Sequence, residues 1–273
     1  MKKLLYGGRA FYAIAMGAIG IQQICYSNLV NFIGPTWPAS FPGYTVLVYI
    51  FSVYLVALMV ATLCGLPVKR YYLILAGILL ALDVLSQVPF LYAVLPYKKT
   101  HLGVWVNVLK ELALTGGALI AARIPVESPS HKSAPDNNKV SNIVGPLFFS
   151  ITMGCFGVAH FLYAEPTTTL LPRWMPLPFF WVYFTGSALV AGALLIVLHI
   201  KTYTGALLLG SMIFIWIWAI HLHGVITDPL GEQGNQISAA LSALAFSGIA
   251  FMIAGLSRHE FEKTGTGYTQ ALN

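Results

Sequence analysis

The stretch "MGCFGVAHFLYAEP", Met153 to Pro166, places a histidine inside an otherwise apolar run, and "MGAIGIQQICYSNL", Met16 to Leu29, reads as a faded copy of it. A shift of 137 positions lays Phe11, Ile14, Met16, Gly17, Gly20, Tyr26, Pro35 and Trp37 on Phe148, Ile151, Met153, Gly154, Gly157, Tyr163, Pro172 and Trp174. The identities run without a gap, above what shared apolar composition gives, and they point to an internal repeat. Glycines three apart recur in both copies, a spacing that lets a second helix approach closely.

Composition sets the surroundings of that repeat. The chain has 273 residues, 58% of them hydrophobic and 9% charged. Soluble domains carry about 25% charged residues. This inventory cannot clothe a protein for water, so a lipid bilayer is expected to face most of it. The net charge of +6 is then no sign of a nucleic-acid partner. In a membrane protein the basic residues sort to the cytoplasmic side instead. Cys25, Cys64 and Cys155 lie in apolar segments with no CxxC spacing, which predicts small buried hydrophobes rather than a redox pair.

A spanning helix needs about 20 apolar residues. Eight segments meet that length: 10–30, 44–66, 71–92, 102–122, 143–164, 179–200, 203–226 and 236–256. Each run is continuous rather than alternating, which favours helices over a barrel. The basic, apolar start resembles a signal peptide but has no clear cleavage site, and its counterpart near Met153 lies inside the chain. The first segment is therefore expected to be a retained helix. With the N-terminus inside, Lys2, Lys3, Arg9, Lys69, Arg70, Arg123, Lys132, Lys139, Lys201, Arg258 and Lys263 fall on the cytoplasmic side. Only Lys98, Lys99 and Arg173 fall outside, which predicts both termini in the cytoplasm.

The Pro-, Ser- and charge-rich stretch "PVESPSHKSAPDNNK", Pro125 to Lys139, predicts a mobile cytoplasmic loop. It divides the chain into a four-helix repeat at 1–124, a linker at 125–142, a second four-helix repeat at 143–258 and a tail at 259–273. Four spans per unit make the repeats parallel. The fold class expected is all-α, with eight transmembrane helices as two parallel four-helix repeats. The stretches "GPTWPASFPG" and "PRWMPLPFF" read as outer loops that partly re-enter or cap each bundle.

Ionisable groups inside lipid are costly, so each is a candidate site. Asp83 and Lys110 both lie about 18 Å from the cytoplasmic ends of neighbouring antiparallel helices, at a rise of about 1.5 Å per residue. An intramembrane ion pair between them is the natural expectation, either to fix helix register or to line a polar path. Gln22 and Gln23 are expected at similar depth. Glu111 points away from Lys110 and needs a separate partner or a proton. In the second half His160 replaces Gln23, and His221 lies at a matched depth near the outer side, with Glu165 and Asp228 close by in sequence. Such imidazoles can bind a quinone carbonyl, a haem or a metal, or relay protons, and they equally suit an interfacial position. No metal site is expected, because His221 and His223 face apart on a straight helix. No phosphate-binding loop, dinucleotide fingerprint or serine-nucleophile elbow occurs.

The stretch from "FFSITMGCFGVAHFLYAEP" through "LPRWMPLPFFWVYFTGSALVAGALLIV" resembles the DoxX-like family of membrane proteins. That family ends its first helix in Gly-x-x-Lys or Gly-x-x-His, here Gly157 with His160. Arg9, Gly20 and Gln23 form a weaker version near the start. The family's second-helix glutamate falls on Leu189, between Gly186 and Gly192, so its role is not carried over. The resemblance implies an inner-membrane accessory or quinone-interacting subunit, with quinone as cofactor and a membrane redox subunit as partner. In that reading His160, His221, Glu165, Asp228 and Gln23 make an outer polar site, and Asp83 with Lys110 supports the first bundle. The alternatives are a small-molecule or lipid transporter, or a structural partner of a membrane complex.

Overall fold

A chain this apolar must satisfy its backbone within itself once it is in lipid, and the helix does so residue by residue. The computed structural model describes residues 2–34, 42–94, 101–125 and 139–270, and every regular element among them is helical. Eight helices are long and apolar enough to cross a membrane: α1 (Lys2–Tyr26), α2 (Tyr44–Leu63), α3 (Lys69–Ala93), α4 (Leu102–Ala121), α5 (Ser141–Leu162), α6 (Pro178–Val197), α7 (Thr202–Thr227) and α8 (Gly231–Arg258). Their outer faces are apolar too, as Ile50 at 63% exposure and Leu85 at 76% illustrate. Such surfaces suit acyl chains rather than water, and the chain is a multi-pass membrane protein. The loop positions Pro35 and Trp37, the basic residues Lys98, Lys99 and Lys132, and most of the proposed linker lie outside the described residues.

The first helix begins earlier than its hydropathy predicts, at Lys2 rather than near residue 10. Its opening turns are pinned by contacts that no sequence window detects. Leu5 packs where a side chain on Gly255 would stand. The buried Arg9 donates to the Ile124 carbonyl at 2.9 Å, just past the end of α4, where a cation complements the helix dipole. Gln22 and Gln23 therefore sit within the last two turns of α1, not at mid-depth. The Leu5–Gly255 contact also puts the start of α1 and the end of α8 on one face, here called the terminal face.

Helix packing rests on glycine. In the α1–α8 crossing a Cβ on Gly8 would meet the Gly248 carbonyl oxygen at 2.7 Å, and one on Gly248 would meet the Gly8 carbonyl at 2.6 Å. The α4–α5 crossing repeats this with Gly116 and Gly145, at 2.6 and 3.0 Å. In the α5–α6 crossing Gly157 and Gly186 oppose each other, and in α1–α2 Gly20 lies against the Ser52 carbonyl. Of the four repeat glycines, Gly17, Gly20 and Gly157 face tight contacts, whereas Gly154 has only the Ala193 Cβ, at 3.8 Å. Helices α4 and α8 meet at the centre, α3 packs on α4, and α7 packs on α8.

Two single-turn π-bulges interrupt this regularity, at Asp83–Gln87 in α3 and Ile217–His221 in α7. Pro89 explains the first, because it has no N–H and its ring crowds the Leu85 carbonyl one turn back. No proline stands inside α7. The α8 helix opens with Glu232, Gln233 and Gly234 all in left-handed conformation, so its regular part begins at Asn235.

Replacing Gly116 or Gly248 with alanine should lower stability by about 1–3 kcal/mol, because the opposing group is backbone and cannot swing aside. Gly77, with open space where its Cβ would stand, should accept alanine with no loss. Thermal unfolding in detergent measures both.

Candidate functional site

Polar residues within an apolar bundle must find partners or carry an energetic burden. Most here find them. Tyr12 donates to the Leu114 carbonyl at 2.7 Å, and Thr152 donates to the Leu109 carbonyl at 2.7 Å. Gln22 ties α1 to the left-handed turn of α8, reaching the carbonyls of Gln233 and Gly234 at 2.9 and 3.0 Å and the Ser238 hydroxyl at 2.8 Å. Asn28 donates to the Gln233 side chain at 3.0 Å. These groups line a small polar cleft at the face opposite the termini, together with Tyr26, Asn31 and Glu232.

Among the exceptions are two acids. Asp83 is 3% exposed and Glu111 is fully buried. Three of their four carboxyl oxygens, Asp83 Oδ1 and both of Glu111, are buried without a hydrogen-bond partner. The two acids stand close enough for their charges to interact. The π-bulge starts at Asp83, and the extra residue it inserts changes which side chains of α3 face α4. One turn on, buried Gln87 donates to the Asn31 carbonyl at 2.8 Å. Asn31 belongs to the segment after α1 that carries the buried Val30, Phe32 and Ile33 into the bundle. Asn31 thus touches both the polar cleft and the bulge that bears Asp83.

The ion pair expected between Asp83 and Lys110 does not form. Lys110 Nζ lies 5.3 Å from the Phe32 ring centroid, a cation–π geometry. Lys110 is also near enough to act electrostatically on His221 of α7. Matched depth along neighbouring helices suggested that pair, and depth does not say which side chains face each other.

The printed hydrogen bonds of Gln23, His160 and Asp228, three of the five residues expected to form an outer polar site, go to other partners. Gln23 is turned toward α2, where Ser52 Oγ donates to its Oε1 at 3.0 Å, and its Nε2 is buried without a partner. His160 stands at the α5–α6 seam, its Cβ beside Gly186. Its Nδ1 lies 2.7 Å from the Phe156 carbonyl, which can only accept, so Nδ1 carries a proton. No hydrogen bond or ring contact joins His160 to His221. Glu165 is exposed in a short helical turn, Ala164–Thr168. Asp228 Oδ1 accepts from the Gly231 amide at 3.0 Å, just before the left-handed turn that precedes the regular part of α8. Among the described residues no three His, Cys, Asp or Glu side chains gather to hold a metal ion. Cys25 and Cys64 are exposed rather than buried, on helix surfaces that suit lipid.

Sequence reasoning missed the Asp83–Glu111 pairing, and it missed Ser238, Asn28 and Asn31 as partners of the polar groups. Pro89 is the available signal for the first, since a proline late in a span predicts a local change of face. No protein family, curated protein or solved structure matches the chain.

A double-mutant cycle separates the two pairings. Asp83→Asn with Lys110→Met should be additive within about 0.5 kcal/mol, as for groups that do not touch. Asp83→Asn with Glu111→Gln should be non-additive by about 0.5–3 kcal/mol, because removing either acid relieves the same repulsion. Thermal unfolding of the four variants in one detergent reads both.

Proposed function

We propose that this protein is a proton-linked carrier of small solutes in the inner membrane, with Asp83 and Glu111 as its proton-binding pair. The observation that carries this reading is two neighbouring acids, sealed within a membrane bundle, with unpartnered oxygens and no salt bridge among the described residues. A bare carboxylate in that setting is strongly disfavoured, and a proton removes the charge that both lipid and the neighbouring acid oppose. The Gln87–Asn31 hydrogen bond supplies a polar connection toward the cleft. Ionisable groups deep in a bundle mark proton relays in pumps and transporters.

The same reading holds the chain to be two tandem, parallel four-helix units. Several features support it. Helices α2 and α6 have bounds offset by 134 positions, and each follows a left-handed residue, Gly43 or Leu177. The π-bulges of α3 and α7 share that offset. The glycine crossings α1–α8 and α5–α4 correspond, as do α1–α2 and α5–α6. Orientation with both termini in the cytoplasm is supported by Lys2, Lys3, Lys69, Arg70, Lys201 and Arg258 at helix ends on the terminal face.

A DoxX-like, quinone-linked role with a redox partner subunit is the second reading. It is favoured by Lys110 and His221, two hydrogen-bonding groups near each other that suit a quinone carbonyl.

Proteoliposomes loaded with a pH-sensitive dye test the first reading against a panel of small organic cations and acids. At least one solute should drive proton movement with the native chain, and Asp83→Asn and Glu111→Gln should reduce it to background. Undiminished solute-driven movement in both variants rejects the proton role. Silence toward every solute, with quinone-dependent electron transfer that His221→Ala abolishes, selects the second reading. In a cysteine-free background, a cysteine at Lys69 should resist an impermeant maleimide in intact cells, and one at Arg173 should react.

A further inference from the structure

Lipid is the solvent of this protein, and one groove at the terminal face has the chemistry to hold a particular lipid. It lies where the first turn of α1, the first turn of α7 and the end of α8 meet, and it encloses about 390 Å³. That is within the range of small-molecule sites, about 300–1,000 Å³. Its lining is Lys3, Leu4, Tyr203, Leu207, Gly255 and Arg258. Two cations thus stand over an apolar floor among the described residues that line the groove.

The groove is shaped by packing rather than by loose side chains. Gly255 brings no side chain to it, because Leu5 of α1 occupies the space a Cβ would need. The Arg258 guanidinium lies 5.3 Å from the Tyr203 ring centroid and reaches the Tyr203 hydroxyl at 3.4 Å, which fixes its position at the rim. Tyr203 is in the first turn of α7, whose first intrahelical hydrogen bond runs from the Gly205 amide to the Lys201 carbonyl. The amides before Gly205 therefore have no partner within the helix, and the helix dipole is positive at this end.

We infer that this groove binds an anionic phospholipid, with the headgroup phosphate between Lys3 and Arg258 and the acyl chains against Leu4 and Leu207. Charge complementarity and depth together select this occupant. The cations are at the ends of membrane-length helices, where phosphates of a leaflet lie, and Leu4 and Leu207 give the groove an apolar floor. A soluble phosphate would satisfy the cations and leave the floor unused. The site is on the opposite face from the polar cleft, and its occupancy is independent of the carrier reading.

The test is thermal unfolding of delipidated, full-length protein in detergent, titrated with phosphatidylglycerol or phosphatidylcholine. Phosphatidylglycerol should stabilise the native chain at much lower concentration than phosphatidylcholine does. At about 1 kcal/mol per basic residue near the headgroup, Lys3→Gln with Arg258→Gln should weaken the effect roughly 30-fold, and each alone about fivefold. Lys2→Gln, a neighbouring charge outside the groove, should leave it unchanged. Equal stabilisation by phosphatidylcholine, or by glycerol phosphate at the same concentration, overturns the inference, as does an unaffected double variant. Should the double variant fail to accumulate, a photoactivatable phosphatidylglycerol on the native chain decides the matter. Crosslinks at the starts of α1 and α7 sustain the site, and crosslinks only elsewhere reject it.

Discussion

Backbone lying directly on backbone at glycine is the constraint on which the rest of this structure depends. Lipid tails are as apolar as leucine, so helices in a bilayer gain little by hiding apolar surface from one another. They gain by approaching closely enough for whole backbones to make van der Waals contact. Gly8 on Gly248 and Gly116 on Gly145 achieve this across the α1–α8 and α4–α5 crossings, and Gly157 on Gly186 does so within the second half. Those crossings bring α4 and α8 together at the centre. Around that core α3 packs on α4 and α7 on α8, and their outer faces are left to lipid.

The bulges act within this rigid frame. A regular α3 would keep one stripe of side chains toward α4 along its whole length. The turn that Pro89 disrupts shifts the stripe for the residues after Asp83, and Asp83 itself lies within electrostatic reach of Glu111. Lys110 then turns to Phe32. The segment after α1 makes this possible by burying Phe32 and Ile33, and its Asn31 carbonyl takes the Gln87 amide. Buried carboxyl oxygens without a hydrogen-bond partner thus stand where matched depth suggested an ion pair.

The parts of the fold that composition alone dictates were legible in the sequence. Continuous apolar runs separated by Pro, Gly and charge gave eight helices with most ends within a few residues. The spacing of Gly17, Gly20 and Gly157 announced close neighbours that are present. Hydropathy failed where tertiary contact overrides it. The start of α1 is held by Leu5 and Arg9 rather than by a long apolar window. The site was less legible, because depth along a straight helix says which residues share a level and not which ones face each other. His160 shows the difference. Its level suggested a shared site with His221, yet its Nδ1 proton is spent on its own helix at Phe156, and its Cβ fills the room that Gly186 leaves. At the position of Gly186 by the 134 offset, α2 has Ser52, and there the smaller Gln23 amide takes a hydrogen bond instead. The histidine in the opening stretch is thus explained by local geometry.

The same offsets expose an asymmetry that bears on mechanism. Close-packing glycines occur in both halves, but the acids occur in one. The bulge position of Asp83 corresponds to Ile217, and Glu111 corresponds to Ala243 when Gly116 is laid on Gly248. Where Gln87 anchors the re-entering segment, the other bulge carries His221. Two units with equal chemistry would offer two equivalent sites, and either could work alone. Here the second half has the close-packing glycines without buried acids among its described residues. On the proposed carrier reading, buried acids confined to the first half among the described residues would direct a proton through a single position per chain.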